Sequence, residues 1–257
     1  MGPADYAIVT GASRGLGVAL CRQLLEEGRS VIATARASEP PAELAGGERL
    51  TWHAGDLSTT AGALDLAAAV RRSIDYRGAS SILLINNAGM IAPVGPLARL
   101  DRSQIVPHLT VNVAAPMVLA GELLADVEES GNRVPATIIN VTSGAAEKPY
   151  FGRAVYCAGK AGVDMFTKTL AREFADRGLP HRVWAVRPGA VDTDMQRYSR
   201  ELPDEATGER EKFIRLKAEG KLLAPEKSAQ LLLRTAGDER VENGAIVDVR
   251  VLYPGEV

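Results

Sequence analysis

Cysteine is scarce in this chain: Cys21 and Cys157 are the two among 257 residues. Two thiols are too few for a disulfide framework, so both are expected reduced, on helices, in a cytoplasmic protein. Charge of one sign is equally lacking. A formal net charge of −2 leaves no basic field to draw nucleic acid or an anionic membrane. No apolar stretch approaches the ~20 residues that span a bilayer, so no membrane partner is expected. Met1-Gly2-Pro3-Ala4-Asp5 leads straight into a strand pattern, without a visible leader. No repeat and no Pro/Gly/Ser linker divides the chain, so residues 1–257 are expected to form one domain. No metal site is expected.

What is present is a regular alternation. Short apolar runs are read as strands: Tyr6–Val9, Ser30–Thr34, Leu50–His53, Ser81–Ile85, Ala136–Val141, Arg182–Val186 and Ala245–Val249. Between them, the stretches Val18–Glu27, Leu64–Ile74, Asp101–Glu129, Val155–Arg177 and Ser228–Ala236 carry helical periodicity. Unbroken apolar strands suit a parallel sheet covered on both faces. The predicted fold class is therefore α/β: a Rossmann-type, doubly wound parallel sheet with helices on both faces. Residues 196–221 stand apart, dense in mixed charge. They read as a solvated helical face, as a flap on the substrate side, or as both.

The turn after the first strand reads Thr10-Gly11-Ala12-Ser13-Arg14-Gly15-Leu16-Gly17. A glycine loop that follows a strand and opens a helix can admit a pyrophosphate to the helix N-terminus. Gly11, Ser13, Arg14, Gly15, Leu16 and Gly17 are thus candidates for a dinucleotide, although the spacing is wider than G-x-G-x-x-G. After the second strand comes Ala33-Thr34-Ala35-Arg36, with no acid before Glu39. An acid there would select the ribose of NAD. Arg36 and Arg14 would instead attract a 2′-phosphate, which points to NADPH. Asp56, with Leu57, follows the third strand and can bond an adenine amino group or cap a helix. Asn87, Ala88 and Gly89 end the fourth strand, where the backbone can bend around the cofactor.

Tyr156 and Lys160 lie four positions apart, on one face of a predicted helix. An ammonium beside a phenol stabilises phenolate and lowers its pKa, which suits general acid work on a carbonyl oxygen. Ser143, ending the fifth strand, can polarise that carbonyl. Asn112 lies in the long helix; it is either a satisfied structural polar residue or the holder of a water linking Lys160 to solvent.

In this order, the glycine loop, Asp56, Asn86-Asn87-Ala88-Gly89, Asn112, Ser143, Tyr156-x-x-x-Lys160 and Pro188-Gly189 resemble the short-chain dehydrogenase/reductase family over nearly the whole chain. The resemblance implies an oxidoreductase in which Asn112, Ser143, Tyr156 and Lys160 form a catalytic tetrad. It also implies that Pro188, Gly189, Val191 and Thr193 hold the nicotinamide, and that the chain forms a dimer or tetramer. A narrower resemblance rests on Tyr156–Ala161, Val191–Gln196 and Leu216–Leu223, which look like sepiapterin reductases and bacterial benzil reductases. It implies NADPH-dependent reduction of one carbonyl of a small 1,2-dicarbonyl substrate, with Tyr150, Met195 and Asp248 as candidate substrate contacts. Asp248 would anchor a pterin or serve structure alone. Val141–Lys148 looks more like the benzil reductases. The alternatives are a general ketone or 3-oxoacyl reductase, and a nucleotide-binding protein without catalysis; the latter would have lost Tyr156, Lys160 or Ser143.

Overall fold

A computed structural model describes residues 4–131 and 134–256. Met1–Pro3, on which the expectation about a leader rests, lie outside the described residues. Strands β1 (Ala4–Thr10), β2 (Ser30–Ala35), β3 (Leu50–Ala54), β4 (Ala79–Asn86), β5 (Ala136–Val141), β6 (Arg182–Arg187) and β7 (Ile246–Asp248) form one sheet in the order β3-β2-β1-β4-β5-β6-β7. Every neighbouring pair is parallel. Helices α1 (Gly15–Glu26), α2 (Thr60–Arg72), α3 (Ile105–Leu109), α4 (Ala115–Glu129), α5 (Ala154–Asp176), α6 (Asp194–Glu201), α7 (Asp204–Thr207), α8 (Arg210–Ala218), α9 (Pro225–Thr235) and α10 (Val249–Leu252) connect the strands. The strand order reverses between β1 and β4. That is where open parallel sheets present a crevice at their carboxyl ends.

Two apolar cores cover the sheet faces. Ala7, Val9, Ile85, Ile139 and Trp184 pack toward α1 and α9 with Leu20, Leu24, Leu231 and Leu232. Ile8, Leu84, Ile138 and Val183 pack toward α2, α4 and α5 with Leu66, Leu119, Leu123 and Phe174. The alternation of each strand between the two cores follows from the period of two of a pleated chain.

The predicted helix over 101–129 is a continuous helical run that changes pitch. Residues Thr110–Ala114 form a π turn between α3 and α4. By length and composition the run Arg102–Glu129 is apolar enough to cross a bilayer, which the sequence reading overlooked. Here Ala115, Leu119, Ala120, Leu123 and Val127 of this run are buried in the core. The last strand is shorter than expected, because the chain turns into α10 after Asp248. The charge-rich segment folds as α6, α7 and α8. Its stem is closed by a bridge between Val191 and Leu223, with Asp192 N donating to Leu223 O at 2.9 Å and Leu223 N to Ala190 O at 2.8 Å.

Candidate active site

The glycine loop lies against the β4 terminus. Thr10 Oγ1 accepts from Asn87 N at 3.0 Å and Ala88 N at 2.9 Å, while Asn87 Nδ2 donates to Thr10 O at 2.9 Å and Gly11 O at 3.2 Å. Gly17 permits this crossing, since a Cβ there would stand 2.1 Å from Gly11 O. Arg14 precedes α1 and no side chain caps that helix. Its first-turn N–H groups, among them those of Leu16 and Gly17, therefore remain available to an anion. A Cβ on Gly15 would meet Thr193 Cγ2 at 3.0 Å, so loop and β6 terminus face each other across a narrow cleft. These features fit a dinucleotide pyrophosphate.

The two arginines have different surroundings. Arg14 Nη1 donates to Asp194 Oδ2 at 2.9 Å, at the start of α6. Arg36 is exposed beyond β2. Asp56 accepts from Ser58 N at 2.9 Å and Ser58 Oγ at 2.8 Å, closing a turn. Those bonds, with Arg36 nearby, hold its carboxyl below the usual range. The cap of α2 is Thr59, whose Oγ1 accepts from Gly62 N at 3.0 Å, rather than Asp56. Leu57 is buried beside it. Pro188 O accepts from Ser228 Oγ at 2.8 Å, and Gly189 turns with φ +81°.

Asn112, Ser143, Tyr156 and Lys160 are brought to one region. The π turn carries Asn112, whose Oδ1 accepts from Met90 N at 3.1 Å and whose Nδ2 donates to Met90 O at 2.8 Å. π turns interrupt helices frequently at functional sites. Gly89 lies between Asn112 and Lys160: a Cβ on it would stand 2.9 Å from Asn112 Oδ1 and 3.8 Å from Lys160 Nζ. Lys160 Nζ donates to Val141 O at 2.8 Å and lies 5.8 Å from the Tyr156 ring centroid. Ser143 opens a tight turn, accepting from Ala145 N at 3.2 Å, and its hydroxyl stands near enough to the Tyr156 phenol to pull its pKa down.

The electrostatics differ from expectation. Burial pushes the Tyr156 phenol up, and this outweighs Ser143 and the Arg153 charge, which pull it down. Burial also draws the Lys160 ammonium down to about 8. Asp164 partly opposes that descent. It is held by Thr142 Oγ1 and faces Arg187.

Around Tyr156 lies an apolar wall of Ile91, Val94, Ala145, Tyr150, Cys157 and Met195. Two of the three sequence-predicted substrate contacts, Tyr150 and Met195, belong to it. Asp248 does not. Its carboxylate caps α10 by accepting from Arg250 N at 3.0 Å, and it grips the Arg250 guanidinium at 3.0 and 2.7 Å. Two residues escaped the sequence reading. His108, one turn before Asn112, is buried against it, and Arg153, three residues before Tyr156, is buried beneath α8. Their spacing to the tetrad residues was the available signal.

Comparison with known proteins agrees with this arrangement. The profile of the family described as short chain dehydrogenase matches residues 5–204. A benzil reductase ((S)-benzoin forming) of Bacillus cereus is 36% identical over 247 residues, covering 95% of this chain and 98% of that protein. A sepiapterin reductase of Meriones unguiculatus is 35% identical over 254 residues, covering 94% of each. The crystal structure of the KRED1-Pglu enzyme superposes with a TM-score of 0.78 at 31% identity, covering 95% of this chain and 100% of that one. With its parallel sheet, glycine loop and Tyr156–Lys160 helix, this chain belongs to the short-chain dehydrogenase family of oxidoreductases.

Proposed function

We propose that the protein is an NADPH-dependent carbonyl reductase that acts on 1,2-dicarbonyl substrates of the benzil type. The observation that carries this reading is the apolar wall around Tyr156, with the Ser143 hydroxyl beside the phenol. An aryl ketone fits such a wall, and its oxygen would accept from the hydroxyls of Tyr156 and Ser143. NADPH, when bound, supplies the hydride. The groups of Gly11, Ser13, Gly15, Leu16 and Gly17 would hold its pyrophosphate, Arg14 and Arg36 its 2′-phosphate, and Asp56 with Leu57 the adenine. Asn87, Ala88 and Gly89 would line the ribose side, and Pro188, Gly189, Val191 and Thr193 the nicotinamide.

Tyr156 would give its proton to the carbonyl oxygen. A phenol held above its usual pKa is protonated at neutral pH, as a donor must be. Ser143 would polarise the same oxygen. Lys160 and Asn112 would return a proton toward Tyr156 from solvent. The benzil preference over a pterin rests on Asp248, whose carboxylate is already committed to Arg250. Exposed Val106, Met117 and Met165 on α3, α4 and α5 support a homo-oligomer built on these helices.

The test is kcat/KM for benzil, sepiapterin, an aliphatic diketone and a 3-oxoacyl ester, each with NADPH and NADH. We expect benzil with NADPH to lead. A leading 3-oxoacyl ester would replace the dicarbonyl reading with the general reductase one.

A further inference from the structure

Arg153 is only 6% exposed. It stands at the N-terminal boundary of α5, three residues before Tyr156. Its Nε and Nη2 are sealed from solvent and meet no hydrogen-bond partner among the described residues. Nor does any described carboxylate pair with it. Glu209 is the acid whose charge reaches it, and that carboxylate bonds Lys212 Nζ at 3.0 Å. What surrounds the guanidinium is aromatic: Phe213 of α8 at 4.5 Å from its carbon and Tyr150 at 5.9 Å, both measured to ring centroids.

Aromatic faces compensate a cation from above its plane. They do nothing for N–H groups that point within the plane. A buried guanidinium with idle in-plane donors is costly unless an anion completes it. The idle pair is also chemically particular. Nε and Nη2 form the edge of the fork that binds a carboxylate through two parallel bonds. The same edge does so twice elsewhere in this protein. Arg250 donates from Nε and Nη2 to the two oxygens of Asp248 at 3.0 and 2.7 Å, and Arg240 does the same to Asp238 at 2.8 and 2.5 Å.

We propose that the Nε–Nη2 edge of Arg153 is the seat of a substrate carboxylate, so that the preferred dicarbonyl carries an anionic group beyond the carbonyl held at Tyr156. This rests on the reading above that Tyr156 protonates the substrate carbonyl. Tyr150, which belongs to the wall around Tyr156 and also faces Arg153, joins the two places. Phe213 lies in the segment between Val191 and Leu223, so access to the edge requires that segment to lift. The flap holds further sealed polar atoms that meet no hydrogen-bond partner among the described residues, Gln196 Oε1, Arg200 Nη1 and Thr207 Oγ1. Its underside is therefore incompletely mated in this state, as expected of a cover that moves.

The experiment compares benzil with two anionic relatives, phenylglyoxylate and 4-carboxybenzil, whose carboxylates lie beside and far from the reduced carbonyl. Wild type should favour one anionic substrate over benzil in kcat/KM. In Arg153→Met that anionic-to-neutral ratio should fall about 10- to 100-fold, the size of a charge-assisted bidentate bond. Arg153→Lys should fall between the two, because a point charge replaces a fork. An unchanged ratio in Arg153→Met would overturn the proposal and leave Arg153 as a tie for α8. Binding of benzoate to the enzyme–NADPH complex, measured by calorimetry, separates this from the functional reading. Benzoate affinity lost in Arg153→Met supports the seat even if wild type fails to reduce benzil. Benzoate affinity retained refutes it even if benzil is reduced. Should Arg153→Met not fold, Arg153→Gln and Arg153→Lys carry both measurements.

Discussion

Asn112 Nδ2 donates to His108 Nε2 at 2.8 Å, and the opposite nitrogen, His108 Nδ1, lies 2.6 Å from Ala92 O. A carbonyl can only accept, so Nδ1 carries the proton and Nε2 is the acceptor. Burial and the Lys160 charge hold the imidazole below its usual pKa, which keeps it in this neutral form. The orientation of the Asn112 amide is thereby fixed. We expect His108→Phe to lower kcat about five- to tenfold, roughly the worth of one positioning hydrogen bond, while NADPH affinity stays within a fewfold. An unchanged kcat would show that Met90 alone orients Asn112.

Tyr156→Phe should reduce kcat by about 10²- to 10⁴-fold, the range of general acid catalysis. Stopped-flow fluorescence should show NADPH binding within a fewfold of wild type. More than a tenth of the activity retained would remove the phenol from its role.

Lys160 sets a pH dependence. Its pKa is about 8 in the folded chain against 10.5 ordinarily. Below about 8 both states are charged, and the native state bears the cost of the buried ammonium. As pH rises from 8 toward 10.5, the native chain gives up a proton that the unfolded chain keeps, so stability rises. Lys160→Met should be more stable at neutral pH by on the order of 3 kcal/mol, and this advantage should shrink through that window. Urea titrations at several pH values measure it. A constant difference would place the Lys160 pKa outside the window.

Arg14 can reach a 2′-phosphate only by leaving Asp194. The pair is exposed, with side-chain exposures of 67% and 38%, and such pairs contribute ~0–1 kcal/mol. Asp194→Asn should therefore tighten NADPH binding by at most about fivefold. Arg36→Asp should erase or reverse the preference for NADPH over NADH. Equal kcat/KM for both cofactors in wild type would defeat the arginine argument.

Asp248→Ala should cost about 1 kcal/mol through the lost cap of α10. It should leave the ratio of kcat/KM for sepiapterin and benzil unchanged. A steep rise in KM confined to sepiapterin would restore the pterin contact.

Local signals made much of this legible. The glycine loop, the strand periodicities and the Tyr156–Lys160 pair depend on neighbours within one or two turns of chain, so a linear reading reaches them. α1 begins at Gly15, with no side-chain cap to mark it, and β7 ends at Asp248 because that side chain caps α10. Partners far apart in sequence stayed hidden. Arg14 and Asp194 are separated by 180 positions, and nothing in either neighbourhood announces the other. Arg153 reads as one surface arginine among many until Phe213 is folded over it. The direction of the Tyr156 pKa differs for a related reason: the lysine spacing is visible in sequence, whereas the burial that raises the phenol is not.

The bridge between Val191 and Leu223 pins the two feet of everything between them. Closing a loop costs entropy that grows only slowly with its length, and here the closure is already made by an isolated bridge just beyond β6. The helices α6, α7 and α8 can thus be exchanged as a cassette, transplanted from a relative with different substrate tastes, while β6 and the nicotinamide side keep their shape. Divergence of substrate range by swapping this excursion, with the hydride chemistry untouched, is the evolutionary freedom that one pair of backbone contacts confers.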